Sequence, residues 1–130
     1  MKEQFVTYEI ALKFKNLGFN EFCMGFFYSE HIDELSDISL GTTTKVVEEM
    51  VNRFNCIKAP LWQQVIDWFR EQYELSLELD ASSNGLYNAH IYSITNSKFG
   101  YSVIVEIPQL NYYEAREQAI LKALELITNK

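Results

Sequence analysis

Apolar residues recur along this chain at two spacings, and the switches between them divide it into elements. "TYEIALKFKNLGF", residues 7–19, has helical spacing. The Thr7 hydroxyl can accept an otherwise unpaired backbone N–H, and Glu9 suits the positive end of the first turn. Gly18 can take the left-handed conformation that stops the helix and folds Phe19 back on Phe14. "EFCMGFFYSE" is continuous and aromatic, which predicts a strand bent at Gly25. Residues 29–44 are polar, acidic and punctuated, and read as an irregular, variable excursion. Val46, Val47, Met50, Val51 and Phe54 return to helical spacing over 45–54, and "CIKAP" reads as a short extended link.

Pro60 suits the first position of the next helix, where its missing N–H costs nothing. Leu61, Val65, Trp68, Phe69 and Tyr73 form one face of that helix, with Trp62 and Ile66 widening it, as burial against a sheet requires. In "LSLELD" the alternation points Leu75, Leu77 and Leu79 inward, and "SSNG" supplies a turn. "LYNAHIYSIT" and "FGYSVIVEI" pair across "NSK", with Tyr101, Val103, Val105 and Ile107 on one face and Pro108 ending the run. Asn111 to Glu114 resembles a capping box and starts a helix striped by Ala115, Ala119, Ile120, Ala123, Leu124 and Ile127. The expected fold is α+β: one domain over 1–130, an antiparallel sheet of three to four strands covered by helices, and a C-terminal helix.

Composition narrows the class. A hydrophobic content of 48% excludes a disordered chain. No run is long enough to span a bilayer, and "MKEQFVTYEIALKFK" lacks the features of a signal peptide, so the expected location is the cytoplasm. Cys23 and Cys56 are then expected to be reduced and buried. The net charge is −7, and its distribution matters more. No Lys or Arg lies between Lys15 and Lys45, where Glu21, Glu30, Asp33, Glu34 and Asp37 fall, nor between Arg70 and Lys98, where Glu71, Glu74, Glu78 and Asp80 fall. Without a basic stripe to displace counterions, direct nucleic-acid binding is not expected. Acidic stretches of this kind suit a basic protein partner.

Candidate chemistry is sparse. Glu30, His31, Asp33 and Asp37 offer metal-ligand atoms but match no metal loop, so neither a metal nor a cofactor is expected. The cysteines sit in apolar surroundings that disfavour a thiolate, and no nucleophile elbow or phosphate loop is present. Tyr87, Tyr92, Tyr101, Tyr112 and Tyr113 crowd the strands and the start of the last helix, and tyrosine favours interfaces. The aromatic helix should be core, with Trp62 at the edge of its stripe as the exception.

Two stretches, "APLWQQVIDWFREQYEL" and "YYEAREQAILKALELI", together with the first helix, resemble a group of small proteins of uncharacterised function encoded by bacteriophages and prophages. The resemblance spans most of the chain and departs over residues 29–55. It implies a phage or mobile-element origin and brings no catalytic residues. The expected function is non-enzymatic binding of a host or phage protein in the bacterial cytoplasm, with inhibition of a host defence factor or formation of a homodimer as possible outcomes. The surface would comprise Glu30, Asp33, Glu34, Asp37, Trp62, Tyr87, Tyr92 and Tyr101. The alternative is a small enzyme or ligand-binding domain with its site between the sheet and residues 29–44, drawing on an acid pair or on His31 and His90.

Overall fold

A computed structural model of the chain describes residues 4–28, 38–94 and 102–128. Its fold is α+β, with antiparallel sheets and a C-terminal helix, and it forms two compact units, Met1–Trp62 and Gln63–Lys130.

In the N-terminal unit, α1 (Tyr8–Asn16) starts where expected, with the Thr7 hydroxyl accepting from the Ile10 N–H. Gly18 takes φ +84°, the Phe19 N–H donates to the Phe14 carbonyl, and the two rings meet edge-on at 5.7 Å. The strand expected over 21–30 is shorter. β1 (Gly25–Phe27) pairs on one side with β2 (Ser39–Leu40) and on the other with β3 (Ile57–Ala59). The described end of the acidic excursion therefore contains a strand, and so does the supposed link "CIKAP". Together these strands make a separate three-stranded sheet.

Successive side chains on a strand point to opposite faces. Phe26 packs with Val47 of α2 (Thr44–Phe54) and Cys56, while Phe27 meets Tyr8 of α1 edge-on at 5.5 Å. The two helices thus cover opposite faces of β1, which is why all three of its residues are buried. Of the apolar stripe expected on α2, Val47 is buried, Met50 and Val51 pack against the cluster, and Val46 and Phe54 stay exposed.

Gly25 is not a bend. It lies within β1, paired with both Leu40 and Ala59, and a Cβ there would come within 2.6 Å of the Ile38 side chain and 2.9 Å of Phe5. The site demands the absence of a side chain rather than an unusual backbone.

α3 (Trp62–Tyr73) begins two residues after Pro60, not at it. Pro60 is buried, and its carbonyl accepts from the Val6 N–H at 3.0 Å, while Leu61 bridges to Phe5. Held in that bridge, Leu61 is 42% exposed and does not join the helix's apolar face. Val65, Trp68 and Phe69 are buried as expected, and Tyr73 lies at the margin with its ring 5.2 Å from Trp68. Glu74 then takes φ +55°, its N–H donating to the Arg70 carbonyl, and turns the chain into the next strand.

The C-terminal unit is a second sheet of order β4 (Leu75–Ala81), β5 (Tyr87–Ser93), β6 (Ser102–Leu110), with α4 (Tyr112–Thr128) packed against all three strands. Leu77 faces Ile91 and Leu79 faces Ala89 across the first ladder. These residues meet the α4 stripe of Ala115, Ala119, Ile120, Ala123 and Leu124, whose small members let the helix approach closely. β6 runs through Pro108 rather than stopping there. It is an edge strand, and the register shift between Tyr87 and Ala89 places an extra β6 residue beside the proline, so no ladder N–H is missed. A second shift, between Ile91 and Tyr92, interrupts the alternation expected over Val103, Val105 and Ile107.

Two substitutions should move stability in opposite directions. Gly25→Ala is expected to cost about 1–3 kcal/mol through overpacking. Glu74→Gly is expected to gain about 0.5–1 kcal/mol by relieving a left-handed non-glycine residue. Urea denaturation of both variants beside the parent chain checks the two signs.

Candidate protein-binding surface

The hairpin end of the C-terminal unit gathers three of the chain's tyrosines. The 82–86 turn joins β4 to β5, with Gly85 at φ +81°, the Ser82 N–H donating to the Leu86 carbonyl at 2.8 Å, and the Leu86 N–H donating to Asn84 Oδ1 at 3.1 Å. The turn sets Tyr87 opposite Ala81 on β4 and Leu110 on β6, just before α4 begins. Asn111 caps that helix as the sequence suggested. Its Oδ1 accepts from the Glu114 N–H at 2.9 Å, and its side-chain amide donates to the Glu114 carboxylate.

Tyr87, Tyr112 and Tyr113 meet at this junction. The Tyr87 and Tyr112 rings are edge-on at 5.3 Å, and Tyr112 and Tyr113 at 5.5 Å. Arg116 lies beneath them, its guanidinium carbon 5.4 Å from each of the Tyr112 and Tyr113 ring centres. The contact follows from spacing, because residues three and four apart share a helix face. Arg116 is only 7% exposed, whereas Tyr112 is 41% and Tyr113 60% exposed. A buried cation therefore holds two rings that face solvent. Such contacts contribute about 0.5–2 kcal/mol in total and reduce the rings' freedom before any partner arrives.

Acidic groups occupy the opposite face of the same sheet. Glu78 and Asp80 are exposed on β4, and Asp80 Oδ2 lies 3.0 Å from Nδ1 of His90, which is mostly buried. His90 is also stacked obliquely on Tyr92 at 5.9 Å. Among the described residues no group of His, Cys, Asp and Glu is arranged to hold a metal ion.

The residues expected to form the surface fare unevenly. Glu30, Asp33, Glu34, Asp37 and Tyr101, with His31, lie outside the described residues. Trp62 is only 6% exposed, so its indole presents no open face, and it leaves the surface as a correction. Tyr87 and Tyr92 are half-buried, five positions apart on β5 and therefore on opposite faces of the sheet. Tyr87 joins the cluster, and Tyr92 belongs with His90. Arg116 was missed, although its spacing from Tyr112 and Tyr113 was legible. Cys23 and Cys56 are both buried and are not joined in a disulfide. Of the two histidines named for the alternative, enzymatic site, His90 is described, beside Asp80, and His31 lies outside the described residues.

No protein-family model matches the chain, and neither a curated protein nor a solved structure shows significant similarity to it. No helix among the described residues is long and apolar enough to cross a membrane.

The cation–ring contact is measurable. A double-mutant cycle of Arg116→Met and Tyr112→Leu in chemical denaturation is expected to give a coupling energy of about 0.5–1 kcal/mol. A value indistinguishable from zero would show that Arg116 supports the helix without holding the ring.

Proposed function

We propose that this chain is a non-enzymatic binding protein that engages a protein partner through the acidic, tyrosine-rich hairpin end of its C-terminal unit. One observation carries this reading: Tyr112 and Tyr113 are exposed at a helix start yet braced from below by Arg116. Exposed tyrosines held in place combine apolar area with a polar tip and lose little entropy on docking, which is the make-up of an interface anchor. Glu78 and Asp80, on the opposite face of the same sheet, supply negative charge in a stretch of chain without Lys or Arg from Glu71 to Ser97. That charge suits a basic partner and would speed its encounter.

The setting proposed for this activity is the cytoplasm of a bacterial host, as the product of a phage or mobile element. The residues resembling phage-encoded chains support that origin, and interference with a host protein is the corresponding activity.

The test is capture from a bacterial lysate at low and high salt. The parent chain should retain a partner that is lost on Tyr113→Ser. Glu78→Gln with Asp80→Asn should weaken capture mainly at low salt, because exposed charges are screened within about 8–10 Å at physiological salt. Capture that is indifferent to all three substitutions would refute the assignment.

A further inference from the structure

The two edges of the C-terminal sheet differ. β6 carries Pro108 and two register shifts, which spoil it as a template for another strand. β4 pairs with β5 in unbroken register from Leu75 to Ala81 and contains no proline. Its outward backbone groups can be assigned. The Ile94 N–H donates to the Glu74 carbonyl, and the Ser82 N–H to the Leu86 carbonyl, on either side of the ladder. In an antiparallel pair the bonded residues alternate, so Ser76, Glu78 and Asp80 spend their backbone groups on β5. The N–H and C=O groups of Leu75, Leu77, Leu79 and Ala81 point the other way. Leu75 to Leu77 is buried, but from Glu78 to Ala81 the strand reaches solvent.

We propose that this open half of β4 accepts an extended basic segment of a partner protein as a fourth strand. The inference rests on the binding function proposed above and names the form of the partner. Charge selects the occupant. Glu78 and Asp80 project from one side of the strand at alternate positions, so lysines or arginines at alternate positions of the incoming strand lie opposite them, where cross-strand pairs of opposite charge stabilise. A second copy of β4 would instead set carboxylates against carboxylates, which disfavours self-pairing. In antiparallel addition the incoming residues opposite Leu79 and Ala81 make the backbone bonds.

The probe is a capped Lys-Val-Lys-Val-Lys peptide titrated into the intact chain and followed by amide NMR and hydrogen exchange. The Leu79 and Ala81 amides should shift and gain protection. Backbone N-methylation of one alternate set should weaken binding about tenfold, from two lost hydrogen bonds, and methylation of the other set should not. The sensitive set is the valines if the strand adds antiparallel and the lysines if parallel. Ala81→Pro, which removes one outward N–H without touching the β5 ladder, should weaken binding in step. Glu78→Gln with Asp80→Asn should cost about fivefold at low salt. Equal binding by both methylated peptides, or shifts confined to β6, overturns strand addition. If lysate capture still depends on Tyr113 in that case, the surface assignment stands without it. If both fail, both fall.

Discussion

The pairing of β4 with β5 holds Leu77 opposite Ile91 and Leu79 opposite Ala89, and α4 closes over them with three alanines. That burial fixes the register, and the register fixes everything outside the core. Because side chains alternate across a strand, a slip of one residue would turn the leucines to solvent and drive Glu78 and Asp80 under the helix. The carboxylates are therefore exposed because the leucines are not. The same ladder sets Tyr87 at the sheet end where α4 starts, so the tyrosine cluster depends on apolar packing rather than on any contact among the rings. Arg116 then refines a position that the sheet has already determined.

The N-terminal unit obeys a different constraint. Its short β1 has no solvent face, since Phe26 is taken by Val47 and Cys56 and Phe27 by Tyr8. A strand covered on both sides leaves no slack at its ends, and Gly25 occupies the point where Phe5 and Ile38 close in. Lys58 of β3 shows the same economy. Its ammonium meets the Glu48 carboxylate at 2.5 Å and donates to the Glu21 carbonyl at 3.0 Å, so a largely buried charge is satisfied locally. The two units thus reach stability by separate means, one through a helix over a sheet and the other through a strand enclosed between helices.

What was legible in the sequence follows from how local each signal is. Thr7, Gly18, Asn111 and the alternating leucines act within a few residues, so α1, α4 and the β4–β5 hairpin could be placed from spacing alone. The first sheet could not. Ser39–Leu40 and Ile57–Ala59 are too short to show periodicity and become strands only because β1 lies between them. Leu61 and Pro60 were misplaced because a tertiary bridge to Phe5 and a bond from Val6 claimed them before the helix began. Pro108 stayed within β6 because an edge strand with an extra residue tolerates it, a circumstance that strand order alone reveals. Of the surface, the tyrosines were visible as composition, but their division between two sheet faces needed the register, and Trp62 needed coordinates to show its burial.

Both sulfhydryls of the chain, Cys23 and Cys56, fall in the N-terminal unit, and both are hidden. A thiol-reactive label can therefore attach only when that unit opens, and the C-terminal unit contributes no background. Labelling rates would report the breathing of one half of the native chain while amide exchange along β5 reports the other. Whether the halves melt together or in sequence can be read without introducing a single foreign residue.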